Sequence, residues 1–143
     1  MQTKQLSLSI ARWIVLALYF TGLVTYPVVG AFVKPVPGLP PEVSRILPVV
    51  LLGVGVAVYV VSLVVEAMVL ARAKRSPNPV GVAASAAILT GACGESLAIL
   101  GLVLTLLGAR TWGTLLYGLC FVHGVHLMLR WPNFEQVAAG DGM

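Results

Sequence analysis

Four long apolar stretches, separated from one another by short polar or proline-rich segments, dominate the pattern along the chain. Because a helix rises about 1.5 Å per residue, roughly 20 residues cross a hydrocarbon core about 30 Å thick. Short connections favour neighbouring helices that run in opposite directions. The pattern therefore predicts an all-α integral membrane protein, a four-transmembrane-helix antiparallel bundle. The predicted spans are residues 9–33, 44–73, 79–108 and 114–131.

The segments between the spans carry residues that end or disturb helices. Residues 34–41 are rich in proline, and residues 72–79 combine basic residues with two prolines. Pro27 lies inside the first span, where its missing N–H is expected to kink the helix or loosen its end. The last span is predicted to end at Pro132. We therefore expect one membrane domain over residues 1–132, followed by a flexible C-terminal tail at 133–143.

The third span contains one ionisable residue. Between Val80 and Ala109 the only charged residue is Glu95, which lies near the middle of the predicted helix. A charged group at that depth costs roughly 2.5–3.5 kcal/mol on insertion scales. The carboxyl group is therefore expected to be protonated, partnered, or turned towards protein or water. Two interpretations follow: a proton- or ion-exchanging site, or a static carboxyl that hydrogen-bonds a neighbouring helix.

The same helix carries a stripe of small residues spaced three and four apart. Such a stripe lets another helix backbone approach closely in a membrane. Glu95 lies beside the stripe, about 40° from Gly91 on a helical wheel. The predicted helix-packing stripe is centred on Gly91, Gly94, Ala98 and Gly101.

Residues 70–108 resemble the hairpin of the ATP synthase proteolipid, subunit c. Residues 95–103 read ESLAILGLV, similar to the family's pattern E-x-L-A-I-x-G-L-V around its ion-carrying carboxylate. Upstream, Arg75-Ser76-Pro77 resembles the polar Arg-x-Pro loop of that hairpin. The resemblance implies that Glu95 binds and exchanges a proton or cation, that the loop at Arg75 is cytoplasmic, and that the protein forms an oligomer.

Polar residues at a similar depth are candidate partners of Glu95. Folding the third and fourth spans about a turn near Thr111 places Glu95 opposite position 127, next to His126. Folding the second and third spans about Pro77 places Tyr59 opposite Glu95. His123 shares a helix face with His126, because the two are three residues apart. His126, His123 and Tyr59 are thus predicted as possible partners of the carboxylate.

The histidines also permit a redox interpretation. In this interpretation His123 or His126 ligates haem or contacts a quinone in a membrane anchor, although the Glu-x-x-His pair of bundle metal sites is absent. We therefore predict no metal site and no cofactor, with haem as the weaker alternative. No nucleophile motif, phosphate loop or dinucleotide fingerprint is present, so the sequence does not favour an enzyme.

Composition and charge agree with a membrane location. The chain of 143 residues is 59% hydrophobic and 10% charged, and its mean hydropathy is +0.98. The net charge of +4 does not indicate nucleic-acid binding, because the basic residues are spread over the ends of apolar segments. Six of the nine basic residues fall on one side of the predicted topology. This excess predicts a cytoplasmic (inner) membrane protein with both termini cytoplasmic.

Two functions from different classes follow. The first is a proteolipid-like protein that exchanges a proton or cation at Glu95. The second is a structural accessory or anchor subunit of a larger membrane complex, in which the small-residue stripe docks on a partner. The lipid bilayer, a second copy of the chain or a larger complex are the expected partners.

Overall fold

The computed structural model describes residues 2–36 and 40–140, with side chains described from residue 8 onward. Every regular element in these ranges is helical. Four helical segments are long and apolar enough to cross a membrane: Leu8–Phe32, Pro41–Ala73, Pro79–Leu106 and Arg110–Ala139. The prediction of an all-helical chain with four such segments is confirmed. The elements are α1 (Gln2–Phe20), a π-helical turn (Thr21–Thr25), α2 (Tyr26–Phe32), α3 (Pro41–Ala73), α4 (Pro79–Leu106) and α5 (Arg110–Ala139).

Pro27 disturbs the first helical segment, as the sequence predicts. A proline cannot donate to the carbonyl four residues earlier, so the regular α-helical pattern is interrupted around it. The structure accommodates this with the π-helical turn, in which the backbone N–H of Tyr26 donates to the carbonyl of Thr21, five residues back. The wide turn changes the rotation of α2 relative to α1, and it presents Tyr26 at the first position of α2.

The connection between α3 and α4 is short, and its end is set by local chemistry. Asn78 precedes α4, and its side-chain oxygen accepts a hydrogen bond from the backbone N–H of Gly81 at 3.1 Å. Pro79 follows at the first helical position, where its missing N–H costs nothing. At the other end of α4, Gly108 adopts a φ of 84°, a conformation that glycine tolerates best. These residues let α4 begin and end sharply.

α4 is the central helix, in contact with every other element. Its small residues face the neighbouring helices: a Cβ added at Gly91 would lie 3.0 Å from Val15 in α1, and one added at Gly101 would lie 3.0 Å from the carbonyl oxygen of Gly113 in α5. Gly91, Gly94, Ala98 and Gly101 are all buried. The stripe is therefore covered within the chain by α1, the π-helical turn and α5.

α5 is longer than predicted. The sequence analysis ends the last span at Pro132 and expects a flexible tail at 133–143, whereas α5 continues through Pro132 to Ala139. The helix persists because Phe134 and Val137 are buried in the core and Trp131 stacks on Phe134 at 5.6 Å between ring centroids. This packing outweighs the lost backbone hydrogen bond. The last three residues of the predicted tail lie outside the described residues.

Candidate functional site

Glu95 lies near the middle of α4 and is half-buried. The hydroxyl group of Tyr26 in α2 donates a hydrogen bond to its Oε1 at 3.0 Å. Among the side chains that the structure describes, no lysine or arginine lies within ion-pair distance of Glu95. The carboxyl group is thus held by a neutral donor. This donor, Tyr26, directly follows the π-helical turn.

The residues predicted as partners of Glu95 lie beside other side chains. His123 and Tyr59 contact each other, with ring centroids 5.3 Å apart, and His126 lies close enough to Glu66 for an electrostatic interaction. Depth along the helix axis was the basis of the prediction, whereas rotation about the axis decides which side chains meet. In the structure, the hydrogen-bond partner of Glu95 is Tyr26, which the sequence analysis did not nominate.

His123 is the centre of a buried polar cluster that joins three helices. It is 1% exposed, and it hydrogen-bonds Tyr19 of α1 through Nδ1 and Ser62 of α3 through Nε2, the latter at 2.7 Å. The Ser62 hydroxyl donates to the carbonyl of Tyr59 at 2.7 Å, so it accepts from His123. Because a hydroxyl has one proton to donate, His123 carries its proton on Nε2 and accepts from Tyr19 at Nδ1.

This arrangement bears on the haem alternative. An imidazole ligates iron through an unprotonated ring nitrogen that is not engaged elsewhere. Both ring nitrogens of His123 are occupied by hydrogen bonds. In this conformation His123 is therefore a cross-link between α1, α3 and α5. Within the described part of the chain, no three His, Cys, Asp or Glu side chains gather as a metal site requires.

Glu66 forms an ion pair one helical turn beyond Ser62. Its Oε1 lies 3.3 Å from Nε of Arg130, and the side chains of Glu66 and Arg130 are 0% and 35% exposed, respectively. Neither carboxylate oxygen of Glu66 accepts a conventional hydrogen bond from the described groups. The pair therefore depends on its charges, with His126 close by. Glu66 is the most deeply buried acid in the described structure.

The Glu66 pair and the His123 cluster share a spacing that sequence reasoning missed. Polar residues three and then four apart recur on two helices: Tyr59, Ser62 and Glu66 on α3, and His123, His126 and Arg130 on α5. Such residues share one face of a helix. The structure packs these two faces together, matching Ser62 with His123 and Glu66 with Arg130. The repeated spacing is the signal that identifies them.

Tyr19 reaches His123 through a slot formed by two glycines. A Cβ added at Gly94 in α4 would lie 2.7 Å from carbons of the Tyr19 ring, and one added at Gly124 in α5 would lie 3.0 Å from that ring. Any larger residue at Gly94 would push the ring out of its place. The small-residue stripe thus serves the polar cluster as well as helix packing.

Comparisons with known proteins give this chain no relative: no family model, no curated protein and no solved structure matches it.

Proposed function

We propose that this protein is a four-span, antiparallel inner-membrane bundle that exchanges a proton or small cation at Glu95. The membrane location is supported by the four long apolar helices and by the large apolar side chains on their outer surfaces, such as Phe20, Met68 and Leu129. In a bilayer, lipid would cover these side chains. The basic excess around residues 72–75 favours a cytoplasmic position for that loop and for both termini.

The observation that carries the exchange function is the environment of Glu95. The residue is half-buried at mid-helix, and a single neutral hydroxyl, that of Tyr26, holds its carboxyl group. Within a membrane span, an acid is by default a candidate for a functional site. Without a cation beside it, the neutral carboxyl is the less costly form in hydrocarbon, and a proton or cation must arrive to balance the ionised form. Such a carboxyl group can bind and release a proton or cation.

Glu66 is assigned the opposite role. Its full burial and its ion pair with Arg130 keep both charges compensated inside the protein. The pair fixes the Glu66 side chain of α3 against Arg130 of α5. We therefore assign Glu66 and the His123 cluster to the framework that holds α1, α3 and α5 around the Glu95 helix.

The resemblance to subunit c supports the proposed role of Glu95. It does not support the same assembly of copies into a ring. In a ring of hairpins, small-residue stripes face neighbouring copies, whereas in this chain the α4 stripe is covered by α1, the π-helical turn and α5. A homo-oligomer or larger complex would thus form through another surface. The outer face of α3 is the broadest candidate, because only a narrow line of that helix is buried.

The second candidate function is a structural accessory subunit of a membrane complex. It is favoured by the same outer face of α3, where Val49, Val56, Val60 and Val64 are exposed. In this function a partner would cover α3, and Glu95 and Tyr26 would be a fixed hydrogen-bonded pair. The exchange function predicts ion movement, and the accessory function predicts none.

The test is proton flux in proteoliposomes that contain the purified protein, a trapped pH dye and an imposed potassium diffusion potential. We expect flux with the wild type and with Glu42→Gln, which neutralises an exposed carboxylate at the start of α3. We expect Glu95→Gln to abolish flux. Equal flux with Glu95→Gln and wild type would overturn the assignment. No flux from any variant, together with tight co-purification of one partner, would favour the accessory function.

A further inference from the structure

A basic groove of about 1080 Å³ opens where the end of α3, the α3–α4 loop and the last turns of α5 meet. Three cationic side chains line it: Lys74 and Arg75 near the loop, and Arg130 on α5. No carboxylate is among the described side chains in its lining. A concave surface with one sign of charge concentrates oppositely charged ligands.

The groove combines cations with neutral hydrogen-bond donors and an apolar wall. Asn133 and Gln136 line it along α5, and Leu70 and Ala71 line it along α3. The ion pair with Glu66 occupies Arg130 only in part, because a guanidinium group has five N–H donors. Charged and amide donors around one cavity match the several oxygens of a phosphate group.

We propose that this groove binds the phosphate group of an anionic ligand, with Lys74 and Arg75 as the principal cations and Gln136 as a neutral donor. Two sources supply that chemistry: the headgroup of an anionic phospholipid, and a soluble phosphate compound. Basic pockets between transmembrane helices bind lipid headgroups. The apolar wall formed by Leu70 and Ala71 would accommodate the start of an acyl chain. This site is separate from Glu95 and does not depend on ion exchange there.

A matched pair of arginines distinguishes a site from a general basic surface. Arg72 and Arg75 are both exposed and lie three residues apart, yet only Arg75 lines the groove. Attraction to the basic surface as a whole predicts equal losses when either is neutralised. A specific site predicts that Arg75→Gln weakens binding about fivefold and that Arg72→Gln leaves it within about twofold.

The experiment measures binding to the purified full-length protein in neutral detergent. One arm uses native mass spectrometry with phosphatidylglycerol, and phosphatidylcholine as the zwitterionic control. The other arm titrates inorganic phosphate and follows ³¹P line broadening. Gln136→Leu is a second variant that changes no charge, and circular dichroism checks that each variant keeps its helicity.

Retention of phosphatidylglycerol over phosphatidylcholine, weakened by Arg75→Gln and by Gln136→Leu, supports the site with a lipid as its ligand. Inorganic phosphate binding with the same dependence on the variants supports the site with a soluble ligand. Equal effects of Arg72→Gln and Arg75→Gln overturn the proposal. Retention of phosphatidylglycerol no greater than that of phosphatidylcholine, together with no broadening of the phosphate signal, also overturns it.

Discussion

Glu66 and Glu95 differ in the groups that hold them. Glu66 is fully buried and paired with Arg130, whereas Glu95 is half-buried and bonded to the neutral hydroxyl of Tyr26. The first arrangement balances a fixed charge with a fixed countercharge. The second leaves the charge to be balanced by a proton or cation. In the function that we propose, the partner of each acid therefore assigns Glu66 to the framework and Glu95 to exchange.

Removing Arg130 should produce the largest loss of stability. Arg130→Met leaves the buried Glu66 carboxylate without its countercharge, and we expect it to lower the free energy of unfolding by about 3 kcal/mol. The measurement is denaturant unfolding in detergent micelles, followed by circular dichroism. Arg110→Met, at the exposed start of α5, is the control and should change stability by less than about 0.5 kcal/mol.

The double variant Glu66→Gln/Arg130→Met sharpens this test. With both charges removed, most of the lost stability should return, because the cost lies in the uncompensated charge. A double variant as unstable as Arg130→Met alone would show that Arg130 contributes through its packing. Glu66 would then lose its assignment as half of a compensated pair.

Enlarging Gly94 should produce the next largest loss of stability. The substitution disturbs the packing of the framework beside Glu95 and removes no charge. The added Cβ of Gly94→Ala would crowd the Tyr19 ring, which also lies close to Gly124. We expect a loss of about 2 kcal/mol in the same unfolding assay. Gly118→Ala is the matched control, since a Cβ there meets nothing within 4 Å. It should be neutral or stabilising by up to about 1 kcal/mol. Equal changes in stability for Gly94→Ala and Gly118→Ala would contradict the claim that Gly94 makes room for the Tyr19 ring.

The two tyrosines give the smallest and most direct comparison. Tyr19→Phe leaves Nδ1 of the buried His123 without a donor, and we expect a loss of about 1.5 kcal/mol. Tyr26→Phe removes a donor from Glu95 and should cost about 0.5 kcal/mol, because that carboxyl group is only half-buried. Unfolding measurements on the two variants test which substitution causes the larger loss of stability. A larger loss for Tyr26→Phe would place Glu95 in the framework.

The sequence predicts the helices well because their signals are local. Long apolar runs, the Asn78-Pro79 start of α4 and the disturbance at Pro27 each depend on a few adjacent residues. The continuation of α5 past Pro132 was missed, because it depends on the burial of Phe134 and Val137 against distant parts of the chain. Local signals cannot report that packing.

The candidate site was predictable in part. Glu95 is evident from the sequence as a single charge in an apolar run, but its partner depends on the rotation of α2, which the π-helical turn sets. The pairing of Ser62 with His123 and of Glu66 with Arg130 was within reach, because the same three-and-four spacing occurs on both helices. Depth alone placed the histidines beside Glu95, and the helix rotations place them beside α3.

The most direct test of the exchange function is the pH dependence of dicyclohexylcarbodiimide labelling in native membranes, mapped by mass spectrometry. The reagent attacks protonated carboxyl groups in apolar surroundings. We predict that Glu95 is labelled and that its labelling falls as the pH rises, while Glu66 stays unlabelled in its pair with Arg130. Labelling of Glu66 in preference to Glu95 would contradict the account. So would the absence of Glu95 labelling at every pH in membranes where an authentic proteolipid is labelled.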